Sequence, residues 1–117
     1  MKIKKATVPV HLYHSGVVVH IGKHADVKTE FVRRGGNPER FRPAEGLCVN
    51  FEDVYSFVFV EPQSSRARTI AVLSHELLHA AHHILDRVRV THGVDNQEPL
   101  TFLLEYLMQE SLAKLKL

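Results

Sequence analysis

Short runs rich in valine and isoleucine, each bounded by turn residues, predict β-strands along the first half of this chain. Four such segments occur, at residues 6–12, 16–21, 47–51 and 54–60. The pair Ser15-Gly16 separates the first two, which predicts a hairpin or two neighbouring strands. The last two flank Glu52 and Asp53 and predict a second strand pair.

The segment 54–60 carries the strongest strand signal, because its side chains alternate strictly. The two faces would carry Val54, Ser56, Val58 and Val60 on one side and Tyr55, Phe57 and Phe59 on the other. Both faces are rich in apolar groups, so we expect a sheet with a helix packed against one side.

Residues 24–34 fit a helix that Asp26 could cap at its start and that Gly35-Gly36 would end. The alternation across residues 27–31 also permits a strand, and helix is the interpretation we adopt. Residues 37–45 contain two prolines and several charges, which indicates a loop.

From Thr69 the apolar pattern takes the helical period, and a helix is predicted over residues 69–88. Its apolar stripe consists of Ile70, Leu73, Leu77, Ala81, Ile84 and Leu85. A second helix would follow, capped by Asp95 or Asn96 and with Pro99 in its first turn, where no intrahelical donor is lost. The order β-β-α-β-β-α-α predicts an α+β fold, in one domain that spans residues 1–117.

Composition narrows the class of protein. Fifteen basic and thirteen acidic residues give a formal charge of +2, which predicts no dominant nucleic-acid or membrane field. No apolar stretch approaches the roughly 20 residues that cross a bilayer, and no signal peptide is recognised. The single cysteine, Cys48, predicts a buried, inert thiol and a reducing compartment, so we expect a cytoplasmic protein.

The segment from His75 to His79 reads HELLH, a case of the HExxH pattern. In a helix, four residues advance roughly 400°, so the two histidines lie one turn apart on one face. Their imidazoles can converge on one ion, and Glu76 lies beside the vacant coordination position. Bound zinc makes water more acidic, and Glu76 is placed to take the proton and deliver it to a leaving amine.

A third ligand is expected from the second predicted helix. Glu98 lies nineteen positions after His79, and a helix–turn–helix hairpin could return the helix's first turn to that level. Glu105, two turns further on, is the weaker candidate. The competing interpretation is an exposed helix face on which the HExxH pattern occurs by chance. The apolar residues just before the motif and the four histidines within nine residues favour a metal-binding cleft instead.

Other roles stay open at the level of sequence. His82 and His83 are either a polar helix end or groups that orient the ligands. His92, Tyr106 and Tyr55 could each stabilise a tetrahedral intermediate. The segment 54–61 could bind an extended peptide at a strand edge or could be an ordinary central strand.

In these motifs the chain resembles the gluzincin metallopeptidases, and it is similar over residues 57–107 to a family of short phage-encoded proteins. The similarity rests on the aromatic strand ending in Pro62, the HELLHAAHHIL segment and the NQEPLTFL segment. It implies a small zincin-like fold, in which a short sheet packs against the HExxH helix. It also implies zinc bound by His75, His79 and Glu98, with Glu76 as general base, a peptide or protein substrate, and the host cytoplasm as location.

Family members often have tyrosine and glycine where this chain has Phe102 and Glu105, and the second subdomain of large gluzincins is missing. The leading hypothesis is therefore a minimal zinc peptidase. Its first competitor is a zinc-stabilised, non-catalytic protein-binding module of a phage. A nucleic-acid-binding role rests only on scattered loop arginines without a readout motif.

Overall fold

The computed structural model describes residues 2–51 and 54–117, and its elements follow one another in the predicted order. The strands are β1 (Lys4–Val10), β2 (Ser15–Ile21), β3 (Gly46–Phe51) and β4 (Tyr55–Val60), and the helices are α1 (His24–Arg33), α2 (Arg66–Arg87) and α3 (Glu98–Leu115). The predicted α+β class is confirmed. Glu52 and Asp53, which the sequence places between the second strand pair, lie outside the described residues.

The four strands form one mixed sheet in the order β1-β2-β4-β3. The two outer pairs are antiparallel, whereas β2 and β4 run parallel. The strand considered as an exposed edge is therefore central, because β4 is paired on both sides. The two edge strands of this sheet are β1 and β3, and β3 is the one that lies next to the HExxH helix α2.

Alternation along the strands gives the sheet two apolar faces. Val58 and Val60 face the layer of α2 and α3, while Phe57 and Phe59 face α1. The division of side chains between the two faces is as predicted, but helices cover both faces rather than one. On the first face, α2 lies over β3 and β4, and α3 lies over β1. Helix α2 thus lies between α3 and β3. This arrangement determines which residues can lie beside the HExxH motif. No helix in the described ranges is long and apolar enough to span a membrane.

Several element boundaries differ from the prediction, among them those of β1, which spans Lys4–Val10 instead of residues 6–12. Helix α2 begins three residues before Thr69, because the Ser65 hydroxyl caps it and accepts a hydrogen bond of 3.1 Å from the Arg68 amide. Helix α3 is preceded by Gln97 as its cap residue, while the Asn96 side chain donates instead to the carbonyl of Thr91 at 2.7 Å. A 3₁₀ turn at His11–Tyr13, rather than Ser15-Gly16, links the first two strands.

The segment 24–34 is helical, and the strand alternative is excluded. Lys23, not Asp26, is the cap residue, and Asp26 lies in the first turn. Gly35 follows the helix with φ of 94°, a left-handed conformation that glycine adopts without strain. Helix α1 buries Phe31 completely against the sheet, so this side of the fold has an aromatic core.

Replacing Gly36 with alanine is expected to destabilise that aromatic core. A Cβ atom at Gly36 would overlap the ring of Phe31, which packs against Phe41 and Phe57 at centroid distances of 5.0 and 5.2 Å. Because a packed core can accommodate an added Cβ atom only if side chains move, we expect a loss of about 1–3 kcal/mol in the free energy of unfolding. Chemical denaturation measures it.

Gly93→Ala is the matched control, since nothing lies within 4 Å of a Cβ at Gly93. An equal loss in both variants would contradict the packing explanation.

Candidate metal centre

Helix α2 presents His75 and His79 on one face, one turn apart, as the motif predicts. Their rings are 4.9 Å apart between centroids and meet edge-on, at 77°. One ligand atom from each of His75, Glu76 and His79 lies within 4.8 Å of the others. The helix alone therefore assembles a three-residue group that could hold a metal ion.

Donor chemistry and spacing are both compatible with a bound cation. Imidazole nitrogen and carboxylate oxygen bind zinc at about 2.0–2.2 Å, so ligand atoms around one tetrahedral ion are roughly 3.4 Å apart. The Nε2 atom of His75 lies 3.9 Å from Oε2 of Glu76. The side chains of both histidines are exposed.

The carboxyl group of Glu76 is buried between α2 and the start of β3, with 7% of the residue exposed. A Cβ atom at Gly46 would lie 2.9 Å from Oε2 of Glu76 and from Cγ1 of Val72. Only glycine lets the edge strand approach this closely. The strand backbone and the carboxyl group therefore lie side by side.

Burial raises the pKa of the Glu76 carboxyl above its ordinary value. Positive charge at His75, His79 and Arg42 acts in the opposite direction. A carboxyl group that is desolvated in this way binds a proton more readily than an exposed one. That property suits a group that must take up and release a proton during a reaction.

Glu98 is not part of this group, contrary to the sequence prediction. It is exposed at the first position of α3 and lines a groove with Val10, Leu12 and Phe102. Helix α2 continues for two turns beyond His79, about 12 Å, before the chain turns back. In addition, α3 packs over β1, on the flank of α2 away from β3. The apolar stripe of α3, rather than the position of Glu98, determines where that helix lies.

A comparison with protein-family models, curated proteins and solved structures finds no match for this chain.

A cleft of about 340 Å³ opens beside the group, between the first turns of α2 and the segment that leads into β3. Its lining residues are Glu45, Gly46, Arg68, Ala71, Val72, His75 and Glu76. Arg68 donates to the Glu45 carboxylate at 3.0 Å across this cleft. Of the histidine face that was predicted to line a cleft, only His75 lines this one, together with Glu76, and the second wall comes from residues before β3.

The segment before β3 was not recognised as part of the site from the sequence. Gly46 is the one signal that could have indicated it, since a glycine at a strand start permits a close approach. Arg68, which also lines the cleft, lies about two turns before Glu76 on the same helix, so helical periodicity places both on one side of α2.

The remaining histidines lie outside the group. His83 is half-buried and points to β3, where its Nδ1 atom lies 3.8 Å from the sulfur of Cys48. Burial, followed by the charge at His79, lowers the pKa of His83. His82 instead stacks near His92, with ring centroids 5.0 Å apart. We therefore find these side chains beside the centre rather than in it.

Cys48 is half-buried rather than fully buried. Burial, with a further contribution from Glu76, raises the pKa of its thiol to about 12, so the reactive thiolate is scarce near neutral pH.

None of the three groups considered for stabilising an intermediate lines the cleft. The Tyr106 hydroxyl donates to the carbonyl of Pro9 at 2.7 Å, and Tyr55 stacks on Phe51 at 5.0 Å. His92 packs against His82.

Proposed function

We propose that this protein is a minimal zinc-dependent peptidase in which His75 and His79 hold the ion and Glu76 transfers protons. The observation that carries the proposal is the group of His75, Glu76 and His79 beside an edge strand. The gluzincin resemblance supports zinc, since it predicts the same three residues in these roles. Glu98 is left out of the ligand set, because it lines a separate groove and is not in that group.

When bound, zinc supplies Lewis-acid chemistry that makes a water molecule more acidic and polarises the scissile carbonyl. Glu76 takes one proton from the attacking water as the new carbon–oxygen bond forms. It then delivers that proton to the amide nitrogen as the carbon–nitrogen bond breaks. The protons balance: the products are a carboxylic acid and an amine.

The substrate peptide would lie along β3. This strand has an unpaired side, and a peptide can add to such an edge through backbone hydrogen bonds. The close approach of Gly46 to Glu76 would bring a bound peptide bond next to the carboxyl group. The small cleft favours short, extended segments over folded surfaces.

Elemental analysis of the purified protein tests the metal assignment. We expect one zinc per chain, and we expect His79→Ala to weaken zinc binding by more than about tenfold. Loss of even an outer hydrogen-bond partner of a ligand has an effect of that size. His82→Ala, three residues along the same helix and outside the group, should keep the zinc.

Glu98→Gln tests the ligand set directly. The structure predicts unchanged zinc affinity in this variant, because Glu98 lies in a separate groove. If Glu98→Gln lost zinc as His79→Ala does, α3 would have to begin at the metal centre. Retention of full zinc affinity in His79→Ala would overturn the centre itself.

A further inference from the structure

A groove of about 750 Å³ lies between the first turn of α2, the start of β1 and the end of α3. It shares no lining residue with the cleft beside His75 and Glu76, which opens towards β3 instead. Its volume falls within the range of about 300–1,000 Å³ that is typical of ligand-binding sites in proteins. The groove is therefore large enough to receive a ligand independently of the metal centre.

Four exposed cationic side chains line this groove, and they come from separate parts of the chain: Lys2, Lys4, Arg66 and Lys116. No acidic side chain is among the described residues that line it. Within residues 2–51 and 54–117, none of the four cations has a carboxylate oxygen within 4.0 Å. Cations that are gathered without counter-charges repel one another, so this groove favours a negatively charged ligand.

The rest of the groove is mainly apolar, with aliphatic groups from Ile3, Ile21, Pro62 and Leu117. Ile21 is only 5% exposed and lies at the bottom. The hydroxyl of Thr69, the other buried lining residue, already accepts from the Gln63 amide at 2.9 Å and donates to the Ser65 carbonyl at 3.1 Å. The floor therefore suits an apolar group, while the charges at the rim suit an anion.

We propose that this groove binds a short, extended peptide segment in which acidic and apolar side chains alternate. Successive side chains of an extended chain point to opposite sides. Apolar side chains of the segment can then enter the groove while the acidic ones pair with the cations at its rim. This role goes beyond the proposed peptidase, because it requires neither the metal ion nor Glu76.

A nucleic acid is the other polyanion that a basic groove could attract. Single-stranded nucleic acids are held to a large extent by stacking of their bases on aromatic side chains. No aromatic side chain is among the described lining residues, and the floor is aliphatic. The composition of the groove therefore favours the peptide.

Fluorescence anisotropy with labelled peptides tests the class of ligand on the unaltered protein. A peptide of alternating glutamate and leucine should bind about tenfold or more tightly than one of alternating glutamate and serine, because burial of a single leucine side chain is enough for that difference. It should exceed a peptide of alternating lysine and leucine by a similar factor, and added salt should weaken it. Equal binding of the three peptides, no binding of the first, or tighter binding of a single-stranded oligonucleotide overturns the proposal.

Matched double variants test where that peptide binds. Lys4→Gln/Arg66→Gln removes two cations of the groove and should raise the dissociation constant about tenfold, since one exposed ion pair contributes up to roughly fivefold. Lys5→Gln/Arg40→Gln makes the same chemical changes at exposed positions outside the groove and should bind as the parent does. Urea denaturation should give both variants at least the parent's stability, because exposed cations without carboxylate partners are removed. An equal effect of the two double variants on peptide affinity overturns the assignment to this groove.

Discussion

Glu76→Gln is expected to lower the rate of peptide hydrolysis by about 10²–10⁴ and to leave zinc binding intact. Glutamine keeps the size of the buried side chain beside Gly46 but cannot accept the proton of the attacking water. The measurement is kcat/KM on a peptide mixture, with zinc content determined on the same samples. The separation of the two readouts is the signature of a proton-transfer group.

Glu105→Gln is the matched control, because it makes the same chemical change at an exposed position of α3. It should retain the parent's activity and zinc. Hydrolysis by Glu76→Gln at the parent's rate would remove Glu76 from the mechanism. If function persisted in Glu76→Gln but failed in His75→Ala, the ion would serve a non-catalytic protein-binding module instead.

Acidification from pH 6.5 to pH 4 is expected to remove roughly 3 kcal/mol of stability through one buried histidine, His20. His20 is completely buried and stacks on Phe57 with a centroid distance of 4.5 Å. In the described chain, neither of its ring nitrogens has a hydrogen-bond partner. Burial above all, and then the charges of Arg34 and Lys5, lower its pKa to about 4, while Glu30 opposes them.

The direction of the effect follows from proton binding. Between pH 6.5 and 4 the unfolded chain binds a proton at His20 and the folded chain does not, so stability falls as the pH falls. The contribution is fully present above about pH 6.5 and is lost on the way to pH 4. Glu30, whose pKa is lowered to about 2 by Arg33 above all, acts in the same direction, and its contribution begins to be lost near pH 4.5, at the acid end of this window.

Urea denaturation at pH 7 and at pH 4.5 measures the effect, with His20→Leu as the informative variant. Leucine stays neutral, so the variant should lose clearly less stability on acidification than the parent. His11→Gln changes an exposed histidine and should behave like the parent. If His20→Leu and the parent lost the same stability on acidification, groups other than His20 would be responsible for the loss.

Local patterns determined the elements of this fold because each depends on near neighbours. The alternation in β4 and the stripe of α2 follow from side-chain period alone, and both were predicted on the correct faces. The convergence of His75, Glu76 and His79 is equally local, since one helical turn brings them together. Helix caps were predicted less well: the N-cap of α3 is Gln97, whereas Asp95 or Asn96 was predicted.

Long-range placement depended on packing that no local pattern encodes. Sequence spacing suggested that Glu98 returns to His79, but the apolar face of α3 is buried over β1, so Glu98 lies on the opposite flank of α2. The same packing made β4 central and β3 the edge, against the alternative that placed substrate along residues 54–61.

The sequence alone predicts an α+β domain with a helix turn that could hold a metal ion, because helical and strand periods act over a few residues. Tertiary structure decided which groups surround that turn. The sheet order places Gly46 beside Glu76, although thirty residues separate them along the chain. Contacts of that range are selected by burial of whole apolar faces, so only the folded chain shows them.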